Sequence, residues 1–268
     1  MRIIAMLATY NEERFIAGCL EHLIGQGVDV YLMDDSSSDA TVEIASRFLN
    51  KGLIGIETLV RNGTFALLPQ LKRKEDLAQT LDADWFMHID ADEIRLPPSG
   101  FANLLEAFES IDGQGYNAVN FLEFAFVPTI ESPDHDHPDF QKTMRWYYPF
   151  VPTFPHRLNA WKKQAGPIDL VSKAGHRVQF QDLRMYPTSF PMKHYLILSR
   201  AQAIRKYGSR EFDKDEVAKG KHRSRLLMKP ETMVFPSQRE LQTFASNDML
   251  DASNHRLKHF WIAEGENN

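Results

Sequence analysis

Short apolar segments that each end in a cluster of polar side chains constrain the fold of this chain more than any other sequence feature. Continuous apolar runs are typical of strands buried on both faces, and the intervening residues have amphipathic helical spacing. The strands are predicted at residues 3–8, 28–33, 54–60 and 85–89, and the helices at residues 12–25, 40–50 and 70–82. This alternation predicts an α/β fold with a mostly parallel central sheet flanked by helices.

The polar clusters at residues 9–12, 34–39 and 90–93 each follow directly after one of these strands. In an open α/β sheet, ligands bind outside the carboxyl ends of the strands. Because parallel strands bring their carboxyl ends to one edge, the three clusters are predicted to form a single shared site.

The cluster after the fourth strand contains two aspartates, Asp90 and Asp92, at positions i and i+2. Two carboxylates held close together repel each other unless a cation neutralises them. Oxygen ligands favour hard ions such as Mg²⁺ or Mn²⁺, which retain coordination positions for substrate phosphates. The pair therefore predicts a divalent metal site that contacts a diphosphate, and the alternative is a helix cap with solvated turn acids.

Composition excludes several classes of protein. The 268 residues carry a formal net charge of -5 and no sustained basic stripe, which argues against nucleic acid as a partner. Cys19 is the single cysteine, so an intrachain disulfide is excluded, and a buried core thiol in a reducing, cytoplasmic compartment is expected. No apolar stretch approaches the roughly 20 residues that span a bilayer, so no transmembrane segment is expected and peripheral membrane association is left open.

The second half of the chain is less regular. A strand is predicted at residues 119–126, a loop at 127–140, short strand-like pieces within 141–195, a helix over 199–220 and another near 237–246. We expect one compact unit with two functional halves. The halves are residues 1–125 and residues 126–268, and the second half is expected to end in a helical tail.

Three motifs carry a family resemblance: ATYNEE at residues 8–13, MDDSSSDAT at 33–41 and HIDADE at 88–93. In this order they resemble the N-terminal signatures of family 2 glycosyltransferases, and HIDADE is similar to a "DADE" subgroup. The resemblance covers roughly residues 1–100, and it implies that residues 1–125 form the nucleotide-sugar-binding half and residues 126–268 the acceptor-binding half with the C-terminal helical tail. It implies a GT-A fold and inverting transfer of a sugar from a nucleotide-diphosphate-sugar to a hydroxyl acceptor, with Mn²⁺ or Mg²⁺ as cofactor. A role in polysaccharide biosynthesis is a family-level expectation.

The resemblance also implies roles for individual residues at the strand ends. The first loop would contact the nucleotide, an acid after the second strand would bind the base or ribose, and the third cluster would bind the metal and diphosphate. Glu93 is then a catalytic candidate that orients a ligand or touches the acceptor. The residues concerned are Thr9, Tyr10, Asn11 and Glu12 in the first loop, Asp34 and Asp35 in the second, and Asp90, Ala91 and Asp92 in the third.

The remaining candidates lie outside the three motifs. Sugar transfer needs a base that deprotonates the acceptor, and the acidic pair that usually supplies it in this family is not evident. Asp169 and His176 are therefore candidate bases, and His194 resembles a C-terminal histidine that completes a metal shell. Lys72, and the basic loop residues Lys221, His222 and Arg225, are candidate contacts of the diphosphate.

Two alternative functions are also considered. A sugar nucleotidyltransferase needs a basic, glycine-rich loop after the first strand, and a dinucleotide site needs G-x-G-x-x-G there, whereas residues 9–13 are acidic and lack glycine. A non-catalytic nucleotide- or sugar-binding module of the same fold stays open because the usual base is missing.

Overall fold

The computed structural model of the chain describes residues 1–61, 63–208 and 210–262. The strands are β1 Ile3–Thr9, β2 Asp29–Asp34, β3 Leu53–Thr58, β4 Trp85–Ile89, β5 Glu93–Arg95, β6 Ala118–Phe126, β7 Trp146–Phe150, β8 Arg157–Lys162, β9 Phe190–His194 and β10 Gln242–Thr243. The α-helices are α1 Ile16–Gly25, α2 Thr41–Ser46, α3 Leu67–Thr80, α4 Leu104–Gly113, α5 Phe140–Thr143, α6 Arg200–Ala203, α7 Lys214–Ala218 and α8 Arg223–Leu226. A π-helical turn covers Ile204–Gly208, and 3₁₀ turns cover Gln238–Glu240 and Asn247–Met249.

The chain divides into two compact units. The first contains Met1–Asn62, Leu67–Leu122 and Pro155–Met192, and the second contains Gly63–Ala66, Glu123–Phe154 and Lys193–Asn268. The predicted contiguous boundary at residue 125 does not follow this division, because β8 pairs with β4 and so belongs to the first unit. Residues 263–268 of the predicted C-terminal tail lie outside the described residues.

The sheet of the first unit has a parallel part and an antiparallel part. β1 lies between β4 and β2, β3 pairs with the other edge of β2, and all three pairings are parallel. On the other side of β4, β8 and then the first residues of β6 continue the sheet in antiparallel pairing. The α/β fold is therefore confirmed, and its parallel part contains β1, β2 and β4, the three strands that end in polar clusters.

The core of the first unit explains why these segments form strands and helices. Residues Ile3 to Leu7 of β1 are at most 1% exposed, so the continuous apolar run is a strand covered on both faces. One stripe of α1 is buried, formed by Ile16, Cys19, Leu20 and Leu23 at helical spacing. The expectation of a buried core thiol at Cys19 is confirmed.

The second unit contains a small antiparallel group of strands. β7 lies between β10 and the last residues of β6, with Phe150 opposite Glu123 and Tyr147 opposite Phe126. Its core combines aromatic and aliphatic side chains from these strands with side chains from the segments that follow β9, among them Tyr148, Phe150, Leu196, Met233 and Phe235.

Two sequence predictions in this region are wrong. Residues 199–220 do not form one helix, because α6 continues into the π-helical turn and α7 begins separately at Lys214. The helix near residues 237–246 is replaced by a 3₁₀ turn and by β10, which pairs with β7. Within the described residues, no helix has the length and apolar character that crossing a membrane requires.

Candidate active site

The loops that follow β1 and β2 are joined by hydrogen bonds. Thr9 is paired with Asp34 in the sheet, and its hydroxyl donates to the Asp34 carboxylate over 3.3 Å. The Asp35 N–H donates to the Thr9 carbonyl oxygen over 2.8 Å. Since Thr9, Asp34 and Asp35 are all less than 9% exposed, the sequence prediction that these two polar clusters meet is confirmed.

Asn11 connects the tips of these loops. It has a φ of 55°, a left-handed conformation that asparagine tolerates better than most residues. Its N–H donates to the Ser37 hydroxyl over 2.9 Å, and its side-chain oxygen accepts from the Ser38 N–H over 2.8 Å. These bonds assign Asn11 a structural role in shaping the loop, and contact with a nucleotide stays a prediction.

Asp39, which lies just before α2, connects the loop after β1 to the start of that helix. Its carboxylate accepts from the Thr41 N–H over 2.9 Å and from the Glu13 N–H over 3.1 Å. The Thr41 hydroxyl in turn accepts from the Glu12 N–H over 2.8 Å. The first loop is therefore held by the N-terminus of α2, which accounts for an aspartate and a threonine in the second motif.

Asp35, Arg61 and Tyr10 form a stacked group at this edge of the sheet. Arg61 donates to the Asp35 carboxylate over 2.7 Å, and its guanidinium carbon lies 3.6 Å from the centre of the Tyr10 ring. Both charged side chains are 9% exposed, so the ion pair is largely removed from solvent. Sequence reasoning gave no role to Arg61, although a basic residue directly after β3 was a signal for a partner of the acids.

The third loop is a tight turn after β4. Because Ile89, the last residue of β4, pairs with Leu7, the next residue Asp90 lies beside the end of β1. The Glu93 N–H donates to the Asp90 carbonyl oxygen over 3.2 Å, and the Glu93 carboxylate accepts from the Asp90 N–H over the same distance. Ala91 and Asp92 within the turn are 4% and 6% exposed. All three predicted clusters therefore lie at the carboxyl ends of neighbouring strands.

Glu93 is held by a buried ion pair. Its carboxylate accepts from Arg95 over 2.5 Å, and these side chains are 1% and 0% exposed. The same Arg95 nitrogen donates to the His88 carbonyl oxygen over 3.3 Å, and the guanidinium lies 4.2 Å from the centre of the Phe121 ring. These contacts support a positioning role for Glu93 in the turn, while its predicted catalytic role stays a prediction.

The carboxylates of Asp90, Asp92 and Glu93 place negative charge near the thiol of Cys19. Burial raises the pKa of Cys19, and the carboxylates of Glu93, Asp92 and Asp90 raise it further. Such a potential favours a cation, and carboxylate oxygens suit Mg²⁺ or Mn²⁺. Across residues 1–61, 63–208 and 210–262, no three side chains of His, Cys, Asp or Glu form a metal-binding group. A metal held by the Asp90 and Asp92 carboxylates and by substrate oxygens is compatible with these residues and stays a prediction.

The lysine of α3 that faces the protein interior is Lys74, not Lys72. Lys72 is 65% exposed and pairs with Glu75 and Asp76 of its own helix, so the structure does not support its predicted diphosphate contact. Lys74 is fully buried, and its ammonium group contacts Nδ1 of His88 over 2.8 Å. Burial lowers the pKa of Lys74 to about 8, and burial together with the Lys74 charge lowers the pKa of His88 well below its usual value.

Asp169 is engaged in a local turn. Its carboxylate accepts from the Ser172 N–H over 2.9 Å, and its backbone pairs with Gln179. Burial alone would raise the pKa of Asp169, but the hydrogen bonds from Ser172 and Val171 bring it below the usual value. Since a carboxylate with a lowered pKa is a weaker base, this geometry does not support Asp169 as the predicted catalytic base.

His176 lies on a loop that packs closely against β4. The preceding Gly175 has a φ of +77°, and a Cβ there would lie 2.9 Å from Nε2 of His88. Nδ1 of His176 contacts Nη1 of Arg157 over 3.0 Å. This Arg157 nitrogen also lies 3.9 Å from the Glu93 carboxylate. Because arginine only donates, Nδ1 of His176 is the acceptor and a neutral ring carries its proton on Nε2. In this arrangement Nε2 carries the proton and Nδ1 is occupied by Arg157, so the geometry does not support His176 as the predicted base.

The second unit contains the remaining candidates. Nδ1 of His194 contacts the Glu123 carboxylate over 2.7 Å, and both side chains are at most 3% exposed. A carboxylate partner on one ring nitrogen is common among metal-binding histidines, but the metal role of His194 stays a prediction. His222 contacts the Glu216 carboxylate over 2.6 Å and stacks on Phe212 at 4.7 Å.

The other two members of the basic loop differ in their surroundings. Lys221 is half-buried, whereas the guanidinium of Arg225 lies 4.9 Å from the centre of the Tyr207 ring. Because these residues belong to the second unit, their predicted contact with a donor diphosphate stays a prediction.

The strand order and the three loops define an α/β domain with a polar site at the carboxyl edge of its parallel strands. Residues 5–119 match the model of the family described as Glycosyl transferase family 2. This region contains most of β1, all of β2 to β5 and all three loops, and the match supports the GT-A fold. The family resemblance stated from the three motifs is thereby confirmed.

Solved structures give a more distant likeness. S. aureus TarS 1–349 in complex with UDP-GlcNAc is 13% identical over 74% of this chain and 59% of that chain, with a TM-score of 0.46. The same protein in complex with UDP is 12% identical over 81% of this chain and 68% of that chain, with a TM-score of 0.43. The chain thus spans less than two thirds of the first structure, and the fold assignment rests on the family match. No curated protein sequence matches the chain.

Proposed function

We propose that this chain transfers a sugar from a nucleotide-diphosphate-sugar to a hydroxyl acceptor. The main support for this proposal is that three polar loops meet at the carboxyl ends of β1, β2 and β4, within the region that matches glycosyl transferase family 2. A site at that edge is where an open α/β sheet binds a nucleotide.

The loops after β1 and β2 would bind the nucleoside. Asp35 supplies a buried carboxylate beside the Tyr10 ring, and a carboxylate accepts hydrogen bonds from base N–H or ribose hydroxyl groups. Arg61 now pairs with that carboxylate and stacks on that ring, so a bound base would share or displace its contacts. The hydrogen bonds of Thr9, Asn11 and Asp39 would keep the loop in shape during binding.

The turn after β4 would bind the diphosphate through a divalent ion. Asp90 and Asp92 are the proposed ligands. A bound Mn²⁺ or Mg²⁺ supplies Lewis-acid stabilisation of the charge on the departing diphosphate. The Glu93–Arg95 pair holds the backbone of the turn in which both aspartates lie, because the Glu93 carboxylate also accepts from the Asp90 N–H.

A direct displacement by the acceptor hydroxyl would invert the anomeric carbon, and we propose this course. It requires a base near the acceptor. The Glu93 carboxylate accepts from Arg95, and the Asp169 carboxylate accepts from its own turn. His176 carries its proton on Nε2. We therefore assign the base to none of these three residues. The same observation favours a second candidate function, which is binding of a nucleotide-sugar without turnover.

A donor-hydrolysis and transfer assay separates the two functions. The chain is incubated with UDP- or GDP-linked sugars and Mn²⁺, with and without EDTA, and the free nucleotide diphosphate is measured. An enzyme releases nucleotide in a metal-dependent manner, and Asp90→Asn abolishes the release. The matched control is Asp82→Asn, an exposed acid of the same unit. Metal-dependent binding without release identifies a binding module, and absence of both contradicts the proposal.

A further inference from the structure

The segment that follows β9 is basic, although the chain as a whole carries a net charge of -5. Within this segment α6 passes into the π-helical turn Ile204–Gly208. Turns of this kind are rare and occur frequently at functional sites. Here the turn carries Tyr207, whose hydroxyl contacts the Leu196 carbonyl oxygen over 3.4 Å.

Three cations surround the ring of Tyr207. The guanidinium carbon of Arg225 lies 4.9 Å from the ring centre, that of Arg210 lies 5.3 Å away, and the ammonium nitrogen of Lys206 lies 5.9 Å away. Each contact is favourable by itself, because the ring face attracts a cation. Together they hold like charges near one another, which repel unless an anion lies among them.

Both arginines also retain unused hydrogen-bond donors. Nε of Arg210 and Nη1 of Arg225 are shielded from solvent and have no hydrogen-bond acceptor among the described residues. A shielded N–H without an acceptor is destabilising, so each of these donors is a position at which a ligand oxygen would be stabilised.

Two acids of neighbouring segments, Glu216 and Glu231, lie beside other groups. Glu216 is bonded to His222, and the Glu231 carboxylate lies beside Gly208, 3.3 Å from where a Cβ on that glycine would be. Within the part of the chain that the structure describes, neither acid forms an ion pair with Arg210 or Arg225.

We propose that Arg210 and Arg225, aligned by the ring of Tyr207, form an anion site for a phosphate or diphosphate group. A guanidinium presents its N–H groups in a planar fork that matches phosphate oxygens, and contact with an aromatic ring limits the positions that the side chain can take. The site lies within the second unit and needs no metal, so it stands independently of the proposed aspartate site. The phosphate comes either from a nucleotide donor or from a phosphorylated acceptor.

Calorimetric titration of the full chain with inorganic pyrophosphate, in EDTA, tests this proposal without contribution from a metal site. We expect binding in the wild type, and at least about a tenfold weaker affinity in Arg210→Gln and in Arg225→Gln, because each variant removes a charged hydrogen-bond donor. Arg225→Lys keeps the charge but loses the fork, so it should also weaken binding. Arg239→Gln is the matched control, since it removes an exposed arginine of the same unit and should leave the affinity unchanged.

Parallel titrations with UDP and with glycerol 3-phosphate identify the source of the phosphate. A loss in the variants for UDP assigns the site to the donor, and a loss confined to glycerol 3-phosphate assigns it to a phosphorylated acceptor. Thermal unfolding of each variant checks that it is folded. No pyrophosphate binding by the wild type, or equal binding by the wild type and both folded glutamine variants, would overturn the proposal, whatever the transfer assay shows.

Discussion

Removing one member of the buried Glu93–Arg95 pair should destabilise the first unit strongly. The two side chains are 1% and 0% exposed, and the bond between them is 2.5 Å long. Breaking a buried ion pair by removing one partner typically costs about 3–5 kcal/mol, because the other charge stays buried without compensation. We therefore expect Glu93→Ala and Arg95→Met each to lower the free energy of unfolding by about this amount.

The double variant Glu93→Met/Arg95→Met tests the reason for this loss. Replacing both members of a buried pair by apolar side chains of similar size is often neutral or stabilising. The double variant should therefore be more stable than either single variant. Urea unfolding, followed by tryptophan fluorescence, measures all three, since Trp85 is fully buried in the same unit.

An exposed ion pair of the same unit provides the control. Glu43 of α2 and Arg47, the residue after that helix, pair over 2.7 Å, but their side chains are 74% and 66% exposed. Glu43→Ala should cost less than about 0.5 kcal/mol, the value typical of surface pairs at this spacing. Equal, small effects of Glu43→Ala and Glu93→Ala would refute the reasoning from burial.

Three further predictions concern single residues. The pKa of Lys74 is about 8 in the folded chain against an ordinary 10.5, so the unfolded chain binds more protons between these values and stability rises with pH there. Relative to Lys74→Met, the wild type should gain up to about 3 kcal/mol between pH 8 and 10.5 in chemical denaturation. Asp39→Ala should lower the free energy of unfolding by about 1–2 kcal/mol, as loss of a helix-start acceptor does, whereas Asp39→Asn should lower it less. Nitrogen NMR should show His176 as the Nε2–H tautomer, and Arg157→Met should remove this preference; an Nδ1–H tautomer in the wild type would contradict the contact.

The first ninety residues were largely predictable because their pattern is local. The strand at residues 85–89 is confirmed at both ends, since its five side chains are all buried. The helix predicted from residue 12 begins at Ile16 instead, after a turn in which the Glu12 carbonyl oxygen accepts from the N–H groups of Phe15 and Ile16. Strand order then brought the polar clusters together as expected.

Side-chain partners were less predictable, because they depend on contacts between distant segments. Lys74 is three residues from both Leu71 and Leu77, which are buried on the same helix, so its inward position was readable from the helical period. The pairing of Arg61 with Asp35 was not readable, since it joins residues 26 positions apart. The helix predicted near residue 240 does not form, because pairing of β10 with β7 outweighs local helix propensity.

The most direct test of the account is Mn²⁺ binding measured by electron paramagnetic resonance, with and without UDP. The account predicts that UDP strengthens Mn²⁺ binding to the wild type and that Asp90→Asn and Asp92→Asn each abolish this effect, while Asp82→Asn does not. Unchanged UDP-dependent Mn²⁺ binding in both Asp90→Asn and Asp92→Asn would contradict the claim that these two carboxylates hold the ion.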